Sequence, residues 1–81
     1  MADRTDAELA QAFKGMGHSI AFITDIIAGN KLATESVEYR QDCVDRHTMS
    51  LEILKAMPDW GSENFTATDS AISAGNGYTA S

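Results

Sequence analysis

Cys43 and His47 stand four residues apart, a spacing that could hold one metal ion on a single helix face. A tetrahedral zinc site needs two further ligands, and His18 is at the matching height of a neighbouring helix. The helical period places His18 on the side opposite to the apolar residues of that helix, so it points away. We therefore predict no metal and no cofactor, and we expect His47 to lie with Arg40 in a half-buried polar layer.

The segment from Gly17 to Ala21 reads Gly-His-Ser-Ile-Ala and differs from the Gly-x-Ser-x-Gly nucleophile elbow at its last residue. That elbow exposes its serine on a turn between a strand and a helix, and it needs an acid and a histidine elsewhere in the chain. A chain of 81 mostly helical residues does not provide this context. The segment is expected to be helix interior, and the protein is expected not to be an enzyme.

Four acidic residues, here called the acidic face, share one side of the second predicted helix: Glu35, Glu38, Asp42 and Asp45. The whole chain has 12 Asp and Glu against 6 Lys and Arg, a net charge of -6. This balance disfavours direct contact with nucleic acid or an anionic membrane, because both attract cationic side chains. The acidic face is then either an ordinary solvated surface or the phosphate-mimicking surface of an inhibitor that blocks a nucleic-acid-binding protein.

The sequence contains few features that could stabilise a small hydrophobic core. A domain of 81 residues is usually marginal without a metal, disulfides or a second subunit. Its single cysteine, Cys43, excludes an internal disulfide, and no apolar stretch approaches the roughly 20 residues that span a membrane. Because the first residues are not apolar like those of a signal peptide, we expect a cytoplasmic protein.

The first third of the chain has the longest unbroken helical period. Its apolar residues step by three or four positions and share one helix face: Leu9, Phe13, Met16, Ile20, Ile23 and Ile27. A capping box of Thr5 and Glu8 begins the predicted helix, at about 6–28, and a Gly-Asn pair follows it. Two internal glycines, Gly15 and Gly17, leave open whether this helix is broken.

A second apolar stripe predicts an antiparallel partner helix at about 33–57, ended by Pro58. Its residues alternate by four and three positions: Ala33, Val37, Arg40, Val44, His47, Leu51 and Leu54. Folding the helices back on each other pairs Phe13 with Leu51. The predicted fold is therefore all-α, with a long antiparallel helical hairpin over 5–58.

The composition changes after the second helix to residues that are typical of turns. We expect 59–81 to be a turn-rich segment with a possible short helix at 67–74, ended by Gly75, and a mobile tail. A helix of two turns forms only when it is docked on other structure.

Some apolar residues remain outside the predicted hairpin. They form the predicted interaction surface: Phe22, Ile26, Met49, Ile53 and Trp60. Either the carboxyl-terminal segment or a second subunit must cover them, and a second hairpin would complete a four-helix bundle. The leading hypothesis is a small, acidic, non-catalytic interaction module that forms a homodimer or docks on a protein partner through this surface.

Overall fold

Three α-helices make up the part of the chain that the structure describes. A computed structural model describes residues 5–57, 60 and 64–81. The helices are α1 (Asp6–Ile27), α2 (Val37–Lys55) and α3 (Thr66–Gly77), and no strand occurs among these residues. The predicted all-α fold is confirmed for them. The predicted helix stop at Pro58 and the first residues of the segment from 59 onwards, apart from Trp60, lie outside the described residues.

Helix α1 is continuous over its 22 residues and passes through both Gly15 and Gly17. Its predicted capping box is present, because the Glu8 backbone N–H donates to Thr5 Oγ1 at 3.2 Å and the Thr5 N–H donates to Glu8 Oε1 at 2.9 Å. After the helix, Gly29 has a φ of 81°, which glycine adopts without steric cost. Local signals therefore set both ends of α1.

The connection between α1 and α2 is longer than the sequence predicts, because α2 begins at Val37 and not near residue 33. Ser36 is the N-cap, and its hydroxyl accepts a hydrogen bond from the Tyr39 N–H at 3.1 Å. Leu32 has a φ of 57°, a left-handed conformation that is uncommon for leucine. A right-handed helix cannot pass through Leu32, so α2 starts after it, at the Ser36 cap.

The buried faces of α1 and α2 are rotated about the helix axes relative to the two predicted apolar stripes. The buried residues of the two long helices are Met16, Ser19, Ile23 and Ile26 on α1 and Val44, Thr48 and Leu51 on α2. Phe13 is 52% exposed and is not a core residue, contrary to the predicted register, and Ile27 and Val37 are also exposed. The rotation arises because α3 adds a third packing surface, so each long helix buries a face shared between two neighbours.

Helix α3 packs through small residues, and its buried positions are Thr68, Ala71 and Gly75. A Cβ atom on Gly75 would lie 1.9 Å from the Thr48 Oγ1 atom of α2, so only glycine permits this approach. The Thr48 hydroxyl donates to the Val44 carbonyl at 2.7 Å and is satisfied there. The expected two-turn helix at 67–74 is therefore a longer helix that continues through Gly75.

The residues after α3 lie along the first turns of α2, where the sequence predicts a mobile tail. The Gln41 side-chain amide donates to the Tyr78 carbonyl at 3.1 Å and accepts from the Ala80 N–H at 2.8 Å. The Arg40 guanidinium donates to the Ser81 carbonyl at 2.9 Å. Composition alone does not reveal such bonds, because their partners are distant in sequence.

Candidate functional site

Met49 and Ile53 are the most exposed large apolar side chains of the described residues, at 63% each. They stand one turn apart on α2 and therefore lie side by side. The carboxyl-terminal segment, which the sequence offers as one possible cover, packs instead at Thr48 on a different side of the helix. Within the part of the chain that the structure describes, Met49 and Ile53 therefore stay uncovered.

The acidic face lies next to this pair. Glu35 lies in the connection before α2 and not on the helix, contrary to the prediction. All four residues of the acidic face are exposed: Glu35, Glu38, Asp42 and Asp45. An ion pair of 3.0 Å joins Asp42 to Arg46, and Asp45 accepts a hydrogen bond of 3.0 Å from the Gln41 amide. Exposed pairs of this kind contribute at most about 1 kcal/mol. We call the solvent side of α2, acidic in its first half and apolar at Met49 and Ile53, the outer face of α2.

The predicted interaction surface is not one continuous exposed patch. Ile26 is 3% exposed and belongs to the core cluster that also contains Ala71 of α3. Phe22 and Trp60 are half-buried and pack against the core. Phe22 contacts His47 of α2 and Lys31 of the connection, and Trp60 contacts Phe13 and Phe65, so these two rings are covered in part by other segments of the chain.

Trp60 packs at the carboxyl end of α2. Its indole N–H donates at 2.7 Å to the Leu54 carbonyl in the last turn of the helix, and this carbonyl also accepts from the Met57 N–H at 3.2 Å. Its ring makes edge-to-face contacts with Phe13 at 6.2 Å and with Phe65 at 5.6 Å between ring centroids. Sequence reasoning missed this aromatic cluster, because Trp60 and Phe65 stand in a turn-rich segment without a helical period.

His47 lies in a small polar cluster between α1 and α2. Its Nδ1 atom is 3.1 Å from the Ser19 hydroxyl, and its ring meets the Phe22 ring edge-on at 4.6 Å. The Lys31 ammonium lies 5.5 Å from the centroid of the same Phe22 ring. The cluster borders a pocket of about 280 Å³, lined by His18, Ala21, Phe22, Lys31 and His47.

The pairing of Ser19 with His47 brings a potential nucleophile beside a base, yet its setting is that of a structural hydrogen bond. Ser19 is 7% exposed and sits within α1, so its hydroxyl does not face a substrate. A nucleophilic serine also needs donors for the developing oxyanion, and backbone N–H groups inside a helix are already bonded. In the part of the chain that the structure describes, no three His, Cys, Asp or Glu residues come together as a metal site.

Burial lowers the pKa of the His47 imidazole below its ordinary value. Protonation then favours the unfolded chain, so this contribution to stability is present above the ordinary histidine pKa and is lost as the pH falls through the lower folded value. We expect the free energy of unfolding, measured in urea, to decrease from about pH 7 to about pH 5.5.

The replacement His47→Gln should remove most of this pH dependence, whereas His18→Gln should keep it because His18 is exposed. An unchanged slope in the His47 variant would show that other groups cause the effect.

No family model, curated protein or solved structure matches this chain. Within the described ranges, none of the helices combines the length and the apolar character needed to cross a bilayer. The exposed surfaces and the pocket are thus the features from which a function can be inferred.

Proposed function

We propose that this protein is a small, non-catalytic interaction module that docks on a second copy of itself through the outer face of α2. The observation that carries this proposal is the exposure of Met49 and Ile53 after α3 has folded onto the chain. Full burial of such a side chain contributes about 1.5–3 kcal/mol. A symmetric pair buries four of them, which gives a driving force of several kcal/mol before the entropy of association is subtracted.

The charge distribution of α2 favours a two-fold, antiparallel contact. The acidic face occupies residues 35–45, and the apolar pair follows at 49 and 53. An antiparallel contact centred on the apolar pair places the two acidic faces at opposite ends of the dimer, where they do not repel each other strongly. A parallel contact would align them and is disfavoured.

The proposed assembly includes the predicted hairpin and four-helix bundle. Gly15 of α1 lies near Leu54 of α2, and Ser19 lies beside His47. Increasing residue numbers on α1 therefore face decreasing residue numbers on α2. This order supports an antiparallel hairpin. Two such hairpins joined through the carboxyl-terminal part of α2 would bring four long helices into one assembly, in which the copies touch around Met49 and Ile53.

Sedimentation equilibrium between micromolar and millimolar concentration tests this proposal. We expect a monomer–dimer equilibrium, and we expect Met49→Gln and Ile53→Gln each to weaken it about tenfold or more, a loss of about 1.4 kcal/mol. The control is Ile27→Gln, which changes an exposed apolar residue of α1 and should leave the equilibrium unchanged. A monomer that persists at millimolar concentration contradicts self-association, and equal effects of all three changes contradict the outer face of α2 as the contact.

The exposure of the acidic face supports one alternative function, a nucleic-acid-mimicking inhibitor of a basic nucleic-acid-binding protein. Such binding would weaken strongly with added salt, whereas apolar self-association would not. The double change Glu38→Gln and Asp45→Asn would weaken the mimic and leave the dimer intact. The two proposals therefore give opposite results with the same variants.

A cytoplasmic location belongs to the same proposal. The one cysteine of the chain, Cys43, is a free and half-buried thiol, which suits a reducing compartment. The proposed partners are proteins, with no direct contact to nucleic acid or membrane, in keeping with the net charge of -6.

A further inference from the structure

The pocket between α1, α2 and their connection has a local charge opposite to that of the whole chain. Lys31, His18 and His47 contribute nitrogen-bearing side chains, and none of the five described residues that line it carries a carboxylate. The entire sequence contains only 6 Lys and Arg and 2 His beside 12 acids. With His counted as neutral, the formal charge of this lining is that of Lys31, and the two imidazoles add hydrogen-bonding nitrogens, a combination that suits a negatively charged ligand.

The apolar wall of the pocket positions its cation. Lys31 lies in the connection after α1, and its ammonium is 5.5 Å from the centroid of the Phe22 ring. This cation–π contact holds the charge beside the ring without neutralising it. The next residue, Leu32, has the left-handed conformation and packs against the core, so the backbone beside Lys31 is fixed.

His47 adds a hydrogen-bond donor to the same site. When the Ser19 hydroxyl donates to His47 Nδ1, the neutral imidazole carries its proton on Nε2. The ring is also held edge-on against Phe22 at 4.6 Å. Ser19 thus acts as a positioning residue, because its contact with Nδ1 holds the ring in place, and the tautomer in which Ser19 donates leaves the Nε2–H group free to donate to a ligand.

We propose that this pocket binds a small organic carboxylate, with its aromatic or other apolar body against Phe22 and Ala21 and its charge beside Lys31 and the imidazoles. Sites for drug-sized ligands enclose about 300–1,000 Å³. The volume of about 280 Å³ lies just below that range, and the pocket is open to solvent, so its walls suit a compact molecule such as one with a single ring. Charge-assisted hydrogen bonds to the carboxylate supply the selectivity for an anion.

Nuclear magnetic resonance titration of the full chain with benzoate, benzamide and acetate tests this site. Benzoate should shift the side-chain resonances of Phe22, His18 and His47 with a saturable curve. Benzamide has the same shape without the charge, and acetate has the charge without the ring. Each should therefore bind at least about tenfold more weakly than benzoate. Equal binding of benzoate and benzamide, or shifts that do not saturate, would overturn the proposal.

Substitution of two lysines, one in the pocket and one outside it, tests whether the Lys31 ammonium binds the carboxylate of the ligand. Lys31→Gln should weaken benzoate binding at least about tenfold, and Lys31→Glu should abolish it. The matched control is Lys14→Gln, which removes the same charge from α1 outside the pocket and should leave binding unchanged. Lys31 and Lys14 are both exposed, so the midpoint of thermal unfolding should be the same in the variants as in the unchanged protein. An unchanged midpoint shows that the variants are folded. Similar losses from Lys31→Gln and Lys14→Gln would show only non-specific attraction and would refute a built site.

Discussion

We expect Gly75→Ala to lower the free energy of unfolding by about 2–3 kcal/mol, near the upper end of what overpacking of a core costs. The added Cβ would lie 1.9 Å from Oγ1, 3.0 Å from Cβ and 3.2 Å from Cγ2 of Thr48. The gain in helix propensity over glycine, roughly 1 kcal/mol, offsets only part of this clash. Urea unfolding followed by circular dichroism measures the difference.

Thr48 cannot move aside at low cost. Its hydroxyl is bonded to the Val44 carbonyl, and its side chain is branched at Cβ. Rotation about χ1 would break the bond to Val44 and would not move the Thr48 Cβ atom, which is itself only 3.0 Å from the added Cβ. Helix α3 must then shift away from α2, which opens the core at Ala71.

Gly77→Ala is the matched control for Gly75→Ala. It makes the same change in the same helix, but the new Cβ meets no atom within 4 Å. Its effect should stay within about 0.5 kcal/mol. Thr48→Ala should recover part of the loss when combined with Gly75→Ala, because neighbouring substitutions are not additive. If the two glycine variants prove equally stable, α3 does not pack on α2 at Gly75.

The features of this fold that depend on local chemistry could be predicted from the sequence. The capping box at Thr5 and the end of α1 need only neighbouring residues, so their positions follow from residue type. The exposure of Met49 and Ile53 follows from helical geometry, since they lie on the side of α2 away from Val44 and Leu51.

Features that depend on contacts between distant segments could not be predicted. Gly75 in the sequence indicates the end of a helix, yet its missing side chain is what lets α3 dock. The hydrogen bond of Ser19 to His47 and the position of Lys31 over Phe22 join separate elements. The pocket therefore has no signal in the periodicity of either helix.

The burial of Ile26 shows how one such contact alters a predicted surface. Two helices alone leave Ile26 beside the apolar stripe of α1, and it then counts as an interaction residue. Adding α3 places Ala71 in the same core cluster, and Ile26 becomes 3% exposed. Of the predicted interaction surface, only Met49 and Ile53 on α2 stay exposed, because Phe22 and Trp60 are half-buried as well.

We expect Leu51→Ala to be more destabilising than any change at an exposed apolar residue, with a loss of about 2–5 kcal/mol. Leu51 is fully buried between the helices, and its removal leaves a cavity in a core of few large side chains. A small domain has a total stability of about 5–15 kcal/mol, so this variant should unfold at far lower urea concentration.

The loss of stability in Phe13→Ala, compared with that in Leu51→Ala, tests which face of α1 packs in the core. The apolar period of the sequence predicts a core phenylalanine and a loss of about 3–5 kcal/mol. In the structure Phe13 is 52% exposed and contacts Trp60, so only about half of the 1.5–3 kcal/mol of full burial is at stake, or about 1 kcal/mol. If Phe13→Ala costs as much as Leu51→Ala, α1 presents its periodic stripe to α2 and the rotated core described here is wrong. A loss near 1 kcal/mol supports the rotation, because only a half-exposed ring gives so small an effect.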